Sequence, residues 1–133
     1  EQAACRSYGM NLGIAFQLID DVLDYGGTSA SLGKNVGDDF REGKMTLPVI
    51  LAYARGDETA RAFWKDAIGG RRSSDEDFAE AIALVRASRS VDDTLERARH
   101  YGQRAIDALG PFPASRAKAA LVEAVQFAIQ RAY

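Results

Sequence analysis

From Gln2 to Tyr25 the sequence has no proline and only two glycines, Gly9 and Gly13, and apolar residues occur on every side. Such a stretch reads as a helix, and a helix apolar all round is one that others surround. This commits the chain to helix-on-helix packing. Residues 45–133 agree, reading as helices parted by short breaks, with no alternating strand pattern. Thr46 is placed to cap a helix that carries Pro48 in its first turn and stops at Gly56. Asp57 opens the next, which ends at Gly69 and Gly70, and Ser74 opens another. Ser90 with Asp93 resembles a capping box, with a helix running on to Leu109. After the turn at Pro111, Phe112 and Pro113 comes an amphipathic helix over about 114–131, with Leu121, Val125, Phe127 and Ala128 near one stripe. The expectation is a single all-α unit over 1–133 with about six helices.

A composition of 47% hydrophobic and 27% charged residues is that of a globular chain with a real core. The net charge of −2 gives no reason to expect a nucleic-acid surface. No apolar run is long enough for a transmembrane span. One cysteine, Cys5, cannot form an internal disulfide, which fits a reducing, cytoplasmic setting, and it reads as a small buried residue. Phe63 and Trp64 read as core, and the lone His100 as a surface residue. Residue 1 is Glu, and a helical pattern already runs there; the expectation is a portion of a longer polypeptide.

The helix that organises the chain also carries Phe16-Gln17-Leu18-Ile19-Asp20-Asp21-Val22-Leu23-Asp24-Tyr25. Asp20 and Asp24 lie one turn apart on one face, Asp21 sits beside them, and Gln17 lies a turn before both Asp20 and Asp21. Like charges at that spacing cost a helix about 0.2–0.5 kcal/mol even when exposed, and the apolar flanks make the site drier. An acidic stripe facing solvent is one account. A divalent cation is the other: magnesium takes hard oxygen ligands, with one or two carboxylates and the rest from water and phosphate.

Residues 26–44 are a different material, a long loop with five glycines and room for one irregular turn. Loops of that length are often functional. Lys34 and Lys44 fall within it; lysine meets phosphate as a flexible point charge, and glycine lets backbone approach a ligand. Most loop lysines are merely solvated, but an acidic metal site beside lysines is what a diphosphate needs.

These motifs, F-Q-x-x-D-D-x-x-D, L-G-K, G-D-D and E-G-K-x-T-L-P in order and closely spaced, resemble the second aspartate-rich region of the trans-polyprenyl diphosphate synthases, nearest the long-chain octaprenyl and decaprenyl type. Residues 90–109 and 112–131 look like that family's last two helices. The resemblance implies an antiparallel helical bundle of the isoprenoid synthase type around a central cavity. It implies a prenyltransferase that uses magnesium to join an allylic diphosphate to isopentenyl diphosphate. Asp20, Asp21 and Asp24 would hold the metal, directly or through water, with Asp20 foremost. Lys34 and Lys44 would contact the allylic diphosphate, Phe16 and Gln17 would border the substrate pocket, and residues 26–44 would form a lid.

The family's first aspartate-rich motif does not occur in these residues. The chain is therefore expected to carry half of an active site, to be inactive alone, and to associate with itself or with the rest of its parent. Arg131 is read as a surface arginine, with a late diphosphate contact as the alternative. The alternatives are a terpene cyclase, which usually shows Asn, Ser or Thr and Glu in its second motif, and a non-catalytic partner subunit, which should have lost its aspartates; the intact aspartates and the two lysines favour a chain-elongating parent over both.

Overall fold

The computed structural model describes residues 1–25 and 36–132. Among them are seven helices and no strand: α1 (Gln2–Leu23), α2 (Asp38–Arg41), α3 (Leu47–Arg55), α4 (Glu58–Ile68), α5 (Asp75–Ala87), α6 (Ser90–Asp107) and α7 (Arg116–Gln130). The seventh element beyond the expected six is α2, a single turn inside the glycine-rich segment.

The longest helix, α1, lies chiefly along α6, and α7 touches both. Ile19, Val22 and Leu23 of α1 pack with Leu95 and Ala98 of α6 and with Ala132. A second core joins Tyr25 and Phe40 to Val49 and Ala52 of α3, Phe63, Trp64 and Ala67 of α4, and Ala81 and Val85 of α5. Small residues let α6 be approached closely. Gly102 is buried, and a Cβ there would collide with Ile129 of α7.

Several helix boundaries follow local chemistry. Asp57 accepts the Ala60 N–H at 2.8 Å. Ser74 and Asp77 form a reciprocal capping box, and Ser115 accepts the Lys118 N–H at 3.1 Å. Pro48 sits in the first turn of α3, where a missing N–H costs nothing.

Several expectations are corrected. Thr46 holds the cap position of α3 as expected, but its hydroxyl makes no cap bond and is buried without a partner among the described residues. Ser90 is not a cap but the first residue of α6: Arg89 holds the cap position at φ 57°, the Ser90 hydroxyl donates to the Val85 carbonyl, and Asp93 pairs with Arg55 at 2.6 Å. Of the α7 stripe, Val125 and Ala128 are buried, whereas Leu121 and Phe127 face outward. Cys5 is exposed. Among the described residues helix α1 is not surrounded: Met10, Ile14 and Phe16 are exposed, and a Cβ on Gly9 or Gly13 would meet no described atom within 4 Å.

Two glycines with positive φ make a paired test. Gly43 has φ 71°, and a Cβ there would lie 2.7 Å from the Ile68 carbonyl oxygen; Gly70 has φ 78° and open space around it. Gly70→Ala should cost only the left-handed backbone penalty, about 1 kcal/mol. Gly43→Ala adds a collision with backbone and should cost about 2–3 kcal/mol. Denaturant unfolding of the two variants checks the order.

Candidate functional site

The last helical turn of α1 hands the chain to Asp24, whose side chain has no exposed surface. A buried carboxylate must be satisfied, and this one is. One oxygen accepts the N–H of Asp39 at 3.0 Å and the other the N–H of Phe40 at 3.2 Å. Its main-chain carbonyl accepts the N–H of Gly37 at 3.1 Å. Gly37 occupies the cap position of α2 and has no side chain to offer, so Asp24 supplies the cap from a distance. Bonds from N–H groups to an ionised oxygen are the strong kind, and negative charge is favoured at a helix start. Asp24 thus brings residue 37 and its neighbours back to the end of α1.

Asp39 extends the arrangement. Its carboxylate lies 3.7 Å from the Lys44 ammonium, and its carbonyl accepts the Lys44 N–H at 2.9 Å. Lys44 is otherwise largely exposed. The clamp at Asp24 therefore delivers Lys44 to the same end of the molecule as the aspartates. Asp39 was legible only as one letter of the G-D-D motif; its pairing with Lys44 was not foreseen.

The other two aspartates face different partners. Asp21 is buried and accepts a hydrogen bond from the Gln17 amide at 3.0 Å. Asp20 is half-buried and lies 3.5 Å from the guanidinium of Arg131. Arg131 also stacks over the ring of Phe16, 4.1 Å from its centroid. The structure thus brings Phe16, Gln17, Asp20, Asp21, Asp24 and Lys44 to one end of α1 and the segment that follows it. Lys34, and the part of the expected lid at 26–35, lie outside the described residues.

Among the described residues no three His, Cys, Asp or Glu side chains converge to hold one ion. The donor chemistry still fits magnesium, which needs only one or two protein carboxylates and takes its other oxygens from water and phosphate. Asp20 and Asp21 are the side chains suited to this. An apolar cavity of about 370 Å³ lies elsewhere, around Cys5, Tyr8, Phe112 and Leu121. Tyr8 is twelve residues before Asp20, roughly 18 Å along the helix, so that hollow is separate from the aspartates.

Tyr25 completes the site's inner side. Its hydroxyl is buried without a hydrogen-bond partner among the described residues. Burial first, and then the charges of Asp24, Asp39 and Asp21, push the phenol well above its ordinary value. A raised folded pKa means that stability is present below about pH 10, the unfolded value, and falls as pH rises beyond it. Tyr25→Phe should therefore match or exceed the parent's stability at neutral pH and lose less of it above about pH 10, as read by melting temperature against pH. Asp24→Asn puts an amide NH₂ against a backbone N–H. It should cost about 1–3 kcal/mol and strip hydrogen-exchange protection from the Asp39 and Phe40 amides. Asp20→Asn should leave that protection intact.

A family model described as polyprenyl synthetase matches residues 1–85. The octaprenyl diphosphate synthase of Haemophilus influenzae is 41% identical over all of this chain, and that of Escherichia coli is 40% identical over 98% of it. Among solved structures, a polyprenyl synthase from Caulobacter crescentus, complexed with calcium and isoprenyl diphosphate, is 50% identical with a TM-score of 0.90. A decaprenyl diphosphate synthase from Rhodobacter capsulatus is 42% identical with a TM-score of 0.89. Each of the two structures covers 98% of this chain. The chain spans about 40% of the length of each of these relatives. A shared helical architecture, carried together with the aspartate helix over most of the sequence, means that the chain belongs to the polyprenyl synthetase family.

Proposed function

We propose that the protein of which this chain forms part is a magnesium-dependent, long-chain trans-polyprenyl diphosphate synthase that joins an allylic diphosphate to isopentenyl diphosphate in the cytoplasm. The observation that carries the reading is Asp20 and Asp21 at the end of α1, with Lys44 drawn to that end by way of Asp24 and Asp39. The likeness to octaprenyl diphosphate synthases supports the product class. Asp20 and Asp21 are the residues that would hold magnesium, and when bound the ion supplies positive charge to the diphosphate as it leaves. Lys44, with Lys34, neutralises the remaining charge on the allylic diphosphate. Gln17 orients Asp21 through its hydrogen bond. Phe16 offers an exposed apolar face beside Asp20, suited to the hydrocarbon end of the allylic group. Asp24 keeps the following segment attached while that chemistry proceeds.

Half of such a site cannot do the reaction. The described part of α1 presents Met10, Ile14 and Phe16 outward, and each large side chain gains about 1.5–3 kcal/mol when fully covered. In the parent this face packs against further helices of the same polypeptide or of a second copy. The 133-residue chain alone should show no condensation and should self-associate by light scattering; a monomer that elongates its substrate would refute the half-site.

The direct test uses the full-length parent with an allylic diphosphate, isopentenyl diphosphate and magnesium. Asp20→Ala should lower condensation by orders of magnitude while helical circular dichroism is kept, and chelation of the metal should abolish it. Equal turnover by the variant would overturn the assignment.

A further inference from the structure

Arg131, which caps the C-terminal end of α7, is 111 residues from Asp20 in sequence and 3.5 Å from it in space. Its guanidinium is mostly buried, stacked on Phe16 at 4.1 Å. Its second terminal nitrogen, Nη2, is buried and has no hydrogen-bond partner among the described residues. That arrangement is a poor way to fasten a helix end. Ion pairs near the surface contribute little, and a buried donor left unmet opposes folding. An apolar side chain at the same place would cover Phe16 without that cost. The Arg131 Nε does donate to the Ala128 carbonyl in the last turn of α7, but at 3.4 Å the bond is long; what the cation does for Asp20 is neutralise a half-buried carboxylate.

We propose, on the reading given under the proposed function, that Arg131 is a positioning residue for Asp20: a resident counter-charge that the carboxylate keeps until a divalent cation takes its place. The proposal accounts for both halves of the geometry. The stacking on Phe16 holds the guanidinium beside Asp20, and the Nη1 approach of 3.5 Å is at the long end of a hydrogen bond. A carboxylate so held is charge-compensated, yet its partner is loose enough to yield to a doubly charged ion. Metal binding at Asp20 is then an exchange of one cation for another, and Arg131 weakens it in the absence of diphosphate.

The test is manganese binding by the full-length protein without diphosphate, followed by the electron paramagnetic resonance of free Mn²⁺. Arg131→Gln and Arg131→Met should each bind the ion roughly tenfold more tightly, the order expected from removing one nearby positive charge. Arg131→Lys should stay close to the parent. On an Asp20→Asn background, Arg131→Gln should change nothing. Met keeps an apolar stem over Phe16, so agreement between Gln and Met separates charge from packing. Unchanged or weaker binding in both variants, or the same gain without Asp20, would overturn the proposal. Condensation by the wild-type protein is measured separately. A missing reaction with the exchange intact would defeat the functional reading alone, and a working reaction with no exchange would defeat the role of Arg131 alone.

Discussion

A carboxylate with no exposed surface, at the end of α1, governs what surrounds it. Asp24 accepts N–H groups from Asp39 and Phe40 through its side chain and from Gly37 through its main chain. Phe40 then reaches the core with Phe63 and Trp64, and Asp39 brings Lys44 toward the aspartate end of α1. Without this acceptor, α2 would begin at a glycine with nothing to satisfy its first amides, and a single turn of helix is too short to persist alone. Burying an ionised group is costly, and the N–H groups of Asp39 and Phe40 donated to its two oxygens help make it tenable.

Three aspartates within five residues thus have three employments. Helical geometry places Asp24 past the last turn, where it meets returning backbone. Asp21 turns toward Gln17, four residues earlier, and Asp20 turns toward α7 and Arg131. The repulsion that made the motif conspicuous is relieved locally by different means for each: backbone amides, a side-chain amide and a guanidinium. Under the proposed function, only the last two leave a carboxylate suited to exchanging its partner for a metal ion.

Much of the fold was legible because its signals are local. Gly56, Asp57 and Ser74 act through bonds to residues within a turn, Pro48 through the N–H it lacks, and each sits where the sequence places it. Ser90 failed because the join between α5 and α6 is set by Arg89 in a left-handed conformation, which no residue type announced. Phe127 failed because α7 meets α6 through Val125, Ile129 and the hollow left by Gly102, rather than through the widest apolar stripe. At the site, the aspartates, Gln17 and Phe16 could be grouped from helical spacing. Asp39 with Lys44, Asp24 as a distant cap, and Arg131 on Asp20 depend on chain segments returning from elsewhere, and periodicity carries no information about that.

The division of labour within the aspartate motif is the central claim, and one structure tests it most directly: the full-length protein crystallised with magnesium and an unreactive allylic diphosphate analogue. The account predicts metal-bound oxygens from Asp20 or Asp21, with Asp24 still holding the amides of Asp39 and Phe40. An Asp24 carboxylate turned onto the metal, or a bound diphosphate whose cations touch neither Asp20 nor Asp21, would contradict it.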